Sequence, residues 1–315
     1  MAPNAPASVP AGETVARIPL DVHAHLVPVD HAALARIADV EWQAEDGALW
    51  VDGHLLRVAD LYHPERLLGW MDRNGVQRAL ISAPPPLYRQ HLKATQALEW
   101  ARYLNDGLLE IAARHGERLG ALLHLPLEHP TVAQLLEAAY EGSGCAGFAL
   151  AAGGTSRIDF ADARHADLWQ ALDRRGAFVF IHPGHCCDDR LARFYLENLL
   201  GNPYETTVAA TQLVMADIPR RYPGIRFCLA HGGGLFAAVC GRLQRGYDTG
   251  RPGVPRDIEP PLQAARRFYV DGITHLPAGL RLAAEVFGES HVLFGSDWPF
   301  PMGMPEPAIE GGRTA

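Results

Sequence analysis

The stretch Asp21-Val22-His23-Ala24-His25 ends the first apolar run of the chain. Side chains alternate between the two faces of a β-strand, so histidines at positions i and i+2 point the same way and can share one ion. Three further motifs also stand where a predicted strand stops: Ile181-His182-Pro183, Ala230-His231-Gly232-Gly233-Gly234 and Gly295-Ser296-Asp297-Trp298-Pro299. Four motifs at four strand ends predict a metal site.

Short β-branched runs alternate along the chain with longer stretches of helical period, the pattern of repeated βα units around a parallel sheet. The predicted strands are Ile18–His23, Val76–Ala83, Leu119–Leu125, Ala146–Leu150, Phe178–His182, Ile225–His231, Phe268–Asp271 and His291–Asp297. Predicted helices between them include His91–His115, Thr131–Glu141, Ala163–Arg175, Tyr204–Tyr222 and Ala278–Phe287. Eight such units indicate a (β/α)8 barrel, whose chemistry lies at the carboxyl ends of the strands.

A single domain over residues 16–303 is expected, because 315 residues with 48% hydrophobic content can bury one large core. Residues 1–15 are predicted to be a disordered leader and residues 304–315 an irregular tail. The interval from Val27 to Asp60 exceeds an ordinary βα loop, and two short strands around Asp52-Gly53 predict a hairpin over the barrel mouth. No amphipathic segment follows Asp297, so the C-terminus is unusually short for this fold and imperfect closure of the barrel is expected.

The overall charge of the chain points to a small-molecule ligand. A formal net charge of −8 and the lack of a basic cluster argue against nucleic acid or an anionic membrane surface. Five cysteines without metal or disulfide spacing, and no apolar stretch of roughly 20 residues, favour a cytoplasmic location. Lys93 is the only lysine and lies in a predicted helix, which favours one metal ion over a pair bridged by a carboxylated lysine.

Three imidazoles and a carboxylate, from His23, His25, His182 and Asp297, suit zinc or a similar divalent ion such as manganese. Water on such an ion ionises near neutral pH. For any one histidine, an ordinary hydrogen-bonded core position is the simpler explanation. His231 is either a further ligand or a general base, and the base is favoured because an open catalytic site rarely needs five protein ligands.

Substrate-binding residues are less clearly marked than the metal ligands. Arg57 follows the predicted hairpin and can form a bidentate pair with a carboxylate, and Arg251 lies in the long connection after strand 6. Phe194 and Trp298 are candidates for an apolar pocket wall. Solvated arginines and ordinary packing are the alternatives for these four residues.

At these motifs the sequence resembles the amidohydrolase superfamily, and within it the branch typified by 2-amino-3-carboxymuconate-6-semialdehyde decarboxylase. The likeness extends from Ile18 to Gly303 and also rests on Asn202-Pro203-Tyr204-Glu205-Thr206-Thr207 and Gly241-Arg242. The chain departs from this branch at Gly184 and His185, where relatives have tryptophan and aspartate.

The resemblance implies a (β/α)8 barrel with one divalent metal, often zinc, held by His23, His25, His182 and Asp297. It implies that His231 helps to activate metal-bound water and that Asp297 shares in proton transfer. Arg57 stands where the branch binds the substrate carboxylate. Arg251 corresponds to an arginine that a neighbouring subunit supplies, so a homodimer is expected.

The leading hypothesis is a metal-dependent, non-oxidative decarboxylase of a small unsaturated or aromatic carboxylic acid. The first alternative is a hydrolase or hydratase that uses the same metal-bound hydroxide, since function depends on the pocket and not on the fold. The second is an inactive barrel that only binds a ligand. Metal analysis separates the enzymes from the inactive barrel.

Overall fold

The computed structural model describes residues 17–155, 158–186 and 188–304. In chain order its strands are β1 (Asp21–His25), β2 (Val40–Gln43), β3 (Ala48–Val51), β4 (His54–Leu56), β5 (Ala79–Ser82), β6 (Leu119–His124), β7 (Gly147–Ala152), β8 (Phe178–Pro183), β9 (Arg226–Leu229), β10 (Tyr269–Asp271) and β11 (Val292–Leu293). Eight of them form one sheet in the order β1-β5-β6-β7-β8-β9-β10-β11, with every neighbouring pair parallel. The predicted (β/α)8 barrel is confirmed, and each predicted strand overlaps an observed one. The predicted leader and residues 305–315 of the predicted tail lie outside the described residues.

Helices follow the barrel strands and cover the outside of the sheet. They are α1 (His31–Leu34), α2 (Pro64–Arg73), α3 (Ala94–Arg114), α4 (Pro130–Ala139), α5 (Ala166–Arg174), α6 (Asn202–Met215), α7 (Ile218–Arg221), α8 (Phe236–Asp248), α9 (Pro261–Ala264) and α10 (Pro277–Phe287). The predicted helix Tyr204–Tyr222 is in fact two helices, because Asp217 has a left-handed φ of 60° and Pro219 cannot donate a helical hydrogen bond. Within the described residues, no helix is both long and apolar enough to cross a membrane.

Side chains inside the barrel form a small apolar cluster separate from the main core under the helices. The cluster contains Val22, Leu80, Leu122, Ala149, Phe178, Phe180, Cys228 and Ala230. Residues two positions apart on a strand face the same side. Ser82, His124 and His182, each two residues beyond a member of this cluster, therefore point into the carboxyl end of the barrel.

Closure of the barrel depends on a few hydrogen bonds between β1 and the segment after β11. The amide of Val22 donates to the Phe294 carbonyl (3.0 Å), His25 to Trp298 (2.8 Å) and Asp297 to His23 (2.7 Å). β11 itself has only two residues, and residues 294–304 contain no helix. The barrel is thus nearly closed, with the last strand held mainly at the end that carries Asp297.

The predicted hairpin is an antiparallel sheet of three strands, because Val40–Gln43 pairs with Ala48–Val51 in addition to the predicted pair. Arg89, from the connection between β5 and α3, fixes this sheet to the barrel. Its guanidinium donates to Asp52 through Nε (2.9 Å) and Nη2 (2.6 Å) and lies over the Trp100 ring at 5.2 Å. Only 1% of the Arg89 side chain is exposed, so this ion pair is largely shielded from water.

Candidate active site

Five predicted side chains meet at the carboxyl end of the barrel and are called the histidine cluster below: His23, His25, His182, His231 and Asp297. The Nε2 atoms of His23 and His25 are 3.1 Å apart, and each lies 3.2 Å from Oδ1 of Asp297. The His182 ring centroid is 4.8 Å from that of His23 and 4.9 Å from that of His25. Ligand atoms of His23, His182, His231 and Asp297 all lie within 4.8 Å of one another.

The short distances among the donor atoms point to one shared centre. Ligand atoms that each lie about 2.1 Å from a single ion are roughly 3.0 to 3.4 Å from one another. The three separations among His23, His25 and Asp297, at 3.1 to 3.2 Å, fall in this range. Three lone pairs this close together repel one another, and a cation bound between them turns that repulsion into attraction to the ion.

Hydrogen bonds at Nδ1, on the side of the ring away from the cluster, orient three of the histidines. The three pairs are His23 with Oδ2 of Asp271 (2.8 Å), His25 with Oγ of Ser82 (3.2 Å) and His182 with the Pro183 carbonyl (2.9 Å). The Asp271 carboxylate and the Pro183 carbonyl can only accept, which favours the tautomer with its proton on Nδ1 and leaves the Nε2 lone pair facing the cluster. A neutral imidazole in this tautomer presents the lone pair that metal ligation requires.

Asp271, the last residue of β10, was not among the predicted site residues. Its fully buried carboxylate accepts hydrogen bonds from the His23 ring and from the backbone N–H groups of His231 (2.9 Å), Gly232 (2.9 Å) and Ile273 (3.1 Å). One carboxylate thereby fixes a ring on β1 and the turn after β9. A signal for it was present, because Asp271 ends a predicted strand as Asp297 does.

His231 is held differently from the other histidines. Its φ of 55° is left-handed, and three glycines with positive φ follow it. Nε2 lies 3.7 Å from Oδ2 of Asp297, while the buried Nδ1 has no hydrogen-bond partner among the described residues. Its side chain is 18% exposed, whereas those of His23 and His25 are fully buried. This position suits proton exchange with a molecule at the barrel mouth.

Buried carboxylates dominate the charge of the cluster. Burial opposes protonation of His23, but Asp297 and Asp271 outweigh it and raise the pKa of His23 to about 10. Burial lowers the pKa of His25, and burial together with the neighbouring imidazoles lowers the pKa of His182 well below its usual value. Burial alone would raise the pKa of Asp297, yet the imidazoles hold it well below its usual range. The site therefore favours a positive charge at its centre.

The residues present fit a divalent metal ion. Within the described chain, Nε2 of His182 and Oδ1 of Asp297 are buried and make no hydrogen bond, an arrangement that costs about 1 to 3 kcal/mol for each group unless a ligand satisfies it. When an ion replaces the proton of His23, ionised Asp271 and Asp297 leave two negative charges, which one divalent cation balances. Imidazole nitrogen and carboxylate oxygen are ligands that zinc accepts readily.

Both arginines predicted to bind substrate are exposed. Arg57 lies directly after β4 and lines an open groove of about 460 Å³ over the three-stranded sheet, with Trp50 and Leu55. Arg251 lies beyond the end of α8, where its backbone N–H donates to the Gly246 carbonyl at 3.1 Å. The structure records no ion pair between either arginine and the histidine cluster.

The predicted aromatic residues have contrasting environments. Phe194 is 75% exposed and stacks with the Arg193 guanidinium at 4.8 Å. Trp298 is 8% exposed and belongs to the main core. His185, where the sequence departs from the resembled branch, pairs with Glu197 on the surface. A larger cavity of about 620 Å³ lies beside α6 and is lined by Gly153, Tyr204 and Glu205 among others, not by the histidines.

The chain belongs to the amidohydrolase family, whose profile matches residues 20–313. It is 26% identical over 298 residues to 2-amino-3-carboxymuconate-6-semialdehyde decarboxylase of Dictyostelium discoideum, covering 90% of this chain and 82% of the relative. It is 32% identical over 230 residues to 6-methylsalicylic acid decarboxylase of Penicillium expansum, covering 70% and 68%. The predicted resemblance is confirmed.

The fold is similar to that of a dihydroxybenzoic acid decarboxylase from Polaromonas sp., with a TM-score of 0.71 and 20% sequence identity. The similarity covers 90% of this chain and 87% of the other, whose crystal structure holds manganese and the inhibitor 2-nitroresorcinol. The barrel is thus shared with decarboxylases of known structure.

Proposed function

We propose that this protein is a metal-dependent, non-oxidative decarboxylase of a small aromatic or unsaturated carboxylic acid. The observation that carries the proposal is the orientation of three histidines by hydrogen-bond partners at Nδ1, so that their Nε2 atoms face the cluster at the barrel mouth. Related chains with this fold are named as decarboxylases, which supports decarboxylation over hydrolysis.

His23, His25, His182 and Asp297 would hold one divalent ion. When bound, the ion would supply positive charge that stabilises the acid and the electron density that develops as carbon dioxide leaves. The donor set suits zinc, and the manganese bound in the Polaromonas enzyme makes manganese the second choice.

The chain's own residues would supply orientation and the proton. As the bond between the ring carbon and the carboxyl carbon breaks, its electron pair remains on the ring carbon, which takes up a proton. His231, 3.7 Å from Asp297, is placed to exchange this proton with Asp297 or with the substrate. Arg57, on the insertion beside the mouth, would orient the substrate carboxylate.

We also propose that the active form is a cytoplasmic homodimer in which Arg251 reaches the partner's site. A run of large apolar side chains is exposed between residues 194 and 204, namely Phe194, Tyr195, Leu199, Leu200 and Tyr204. Exposed apolar clusters of this kind are typical of protein interfaces. The cysteines among the described residues are unpaired, in keeping with a reducing compartment.

Carbon dioxide release from a panel of hydroxybenzoates and unsaturated acids tests the proposal. Protein loaded with zinc or manganese should release carbon dioxide from at least one acid, and the Asp297→Asn variant should release none. Hydrolysis of esters, lactones or amides by the loaded protein, without carbon dioxide from any acid, would contradict it.

A further inference from the structure

Two buried polar side chains, Tyr88 and His124, lie at the barrel mouth but take no part in the histidine cluster. Tyr88 follows β5 and His124 is the last residue of β6, two neighbouring strands of the barrel. The cluster residues come from β1, β8, the turn after β9 and the segment after β11. Tyr88 and His124 therefore occupy a part of the mouth that the cluster leaves free.

The position of His124 is fixed by its strand and by α3. Leu122, two residues earlier, packs inside the barrel, so the His124 ring points into the carboxyl end of the barrel. The side-chain amide of Asn105 on α3 makes two hydrogen bonds to the backbone of His124. Its Oδ1 accepts from the His124 N–H at 2.7 Å, and its Nδ2 donates to the His124 carbonyl at 3.0 Å. The Tyr88 ring stacks on the His124 ring, with centroids 5.0 Å apart and planes within 6°.

The polar atoms of this pair lack partners. Among the described residues, neither the Tyr88 hydroxyl nor either ring nitrogen of His124 makes a hydrogen bond of normal length and angle. The Ala149 carbonyl lies close enough to the His124 ring to affect its pKa, but it does not form such a bond. The two residues are only 3% and 2% exposed, so bulk water does not satisfy them. Buried polar atoms without partners lower the stability of the fold, and a bound ligand that supplies the partners would remove this cost.

Both side chains are neutral near pH 7. Burial lowers the pKa of His124 to about 4, although the Ala149 carbonyl partly opposes this, and burial together with the Asp297 charge raises the pKa of Tyr88. A neutral imidazole offers one donor and one acceptor, and the phenol offers a donor. Arg89, beside Tyr88 in sequence, is already paired with Asp52. A second carboxylate would lack a counter-charge here, whereas a hydroxyl matches both groups.

We propose that Tyr88 and His124 bind a neutral hydrogen-bonding substituent, such as a phenolic hydroxyl, on the ring of an acid held at the histidine cluster. The inference rests on the proposed decarboxylase function and names the substrate class within it. Because the polar atoms are closed to solvent in the free chain, substrate entry must shift one of the two rings. The pair selects the substrate and does not transfer the reacting proton.

The test compares 2-hydroxybenzoates that carry either a hydroxyl or a methyl group at the same ring position, for example 2,6-dihydroxybenzoate and 6-methylsalicylate. For at least one position, kcat/KM of the hydroxyl acid should exceed that of the methyl acid by at least about 30-fold, because a methyl group leaves the site's polar atoms unpaired. Tyr88→Phe and His124→Leu should each reduce this ratio about 10-fold.

Trp169→Phe is the matched control. Nε1 of Trp169 is also buried without a hydrogen bond, but this residue lies on α5 in the main core outside the barrel. The control should keep the wild-type ratio. Tyr88→Phe should melt at or above the wild-type temperature, since it removes only an unpaired hydroxyl, so a lost preference cannot be ascribed to misfolding.

Calorimetric dissociation constants for the same acids separate this inference from the proposed function. Preferential binding of the hydroxyl acids without carbon dioxide release would support the pocket and contradict the decarboxylase. Turnover without a hydroxyl preference, or a preference that survives in both variants, would overturn the pocket. The absence of both binding and turnover for every pair would contradict both proposals.

Discussion

At the residue scale, the histidines of the cluster differ in the hydrogen-bond partner of their Nδ1 atom. The Asp271 carboxylate and the Pro183 carbonyl accept at Nδ1 of His23 and His182, and the Ser82 hydroxyl pairs with Nδ1 of His25. Nδ1 of His231 has no hydrogen-bond partner among the described residues. A ring fixed in one tautomer suits metal ligation, and a ring without such an acceptor suits proton transfer. This contrast supports the proposed assignment of His23, His25 and His182 as metal ligands and of His231 as the base.

Metal content should follow this division. His182→Ala should lose the bound ion, whereas His231→Ala should retain about one ion per chain and lose turnover. Asp271→Asn should weaken metal binding about 10- to 100-fold through loss of the outer hydrogen bond. Elemental analysis after dialysis against a graded chelator measures all three, with the exposed His185→Ala as control. Metal loss in His231→Ala equal to that in His182→Ala would make His231 a ligand.

His124 should give the protein a distinct pH dependence of stability. Its pKa is about 4 in the folded chain and 6.5 in the unfolded chain, so the unfolded state binds the proton first as the pH falls. The stabilisation of the folded state by neutral His124 is complete above pH 6.5. Between pH 6.5 and 4 the free energy of unfolding falls by about 3 kcal/mol on this account. Urea unfolding of chelator-treated protein should show a shallower acid loss in His124→Leu than in wild type. Parallel curves for the two proteins would contradict this assignment.

At the scale of elements, a well-shielded ion pair links the three-stranded sheet to the barrel. The Arg89 side chain is 1% exposed and Asp52 is 27% exposed, whereas the nearby Asp60–Arg66 pair is about half exposed on both sides. Asp52→Ala leaves the guanidinium buried without its counter-charge and should lower the free energy of unfolding by about 2 to 3 kcal/mol. Asp60→Ala should cost at most about 0.5 kcal/mol. Equal losses in urea unfolding would mean that the Arg89–Asp52 pair does not anchor the sheet.

The same sheet carries Arg57 one residue beyond β4. If Arg57 orients the acid, Arg57→Ala should raise KM for the substrate about 10-fold or more with little change in kcat, because the lost contact is made equally before and during reaction. Asp52→Ala, which loosens the sheet, should raise KM in the same direction. Arg66→Ala, on the exposed pair, serves as the control for steady-state kinetics. An unchanged KM in Arg57→Ala would assign that arginine to the surface.

Strand positions could be predicted from the sequence because parallel barrel strands are buried on both faces and appear as short apolar runs bounded by polar residues. The convergence of His23, His25, His182 and Asp297 follows from the same pattern, since carboxyl ends of barrel strands share one face. Long-range pairs such as His23 with Asp271, or Arg89 with Asp52, leave no periodic trace and appear only in three dimensions. The third strand of the insertion, Val40–Gln43, could not be predicted either, because only its pairing with β3 defines it as a strand.

At the scale of the whole molecule, a second copy of the chain could complete the active site. Arg251 is exposed beyond α8, and a run of apolar side chains is exposed between residues 194 and 204. Each site of a homodimer would combine the histidine cluster of one subunit with Arg251 of the other. A variant that lacks a metal ligand and a variant that lacks the arginine would then each be inactive alone. Together they would contain one complete site in every mixed dimer.

Co-expression of differently tagged His182→Ala and Arg251→Ala chains tests this arrangement. Random pairing should restore about one quarter of wild-type activity, because half of the dimers are mixed and each has one complete site. A mixture of His182→Ala and Asp297→Ala chains should restore none, since each chain then lacks one metal ligand and neither site of a mixed dimer is complete. If Arg251 acts within its own chain, no mixed dimer has a complete site. Absence of recovery in purified mixed dimers would therefore place the arginine outside the partner's site, and a monomer by light scattering would exclude the shared site altogether.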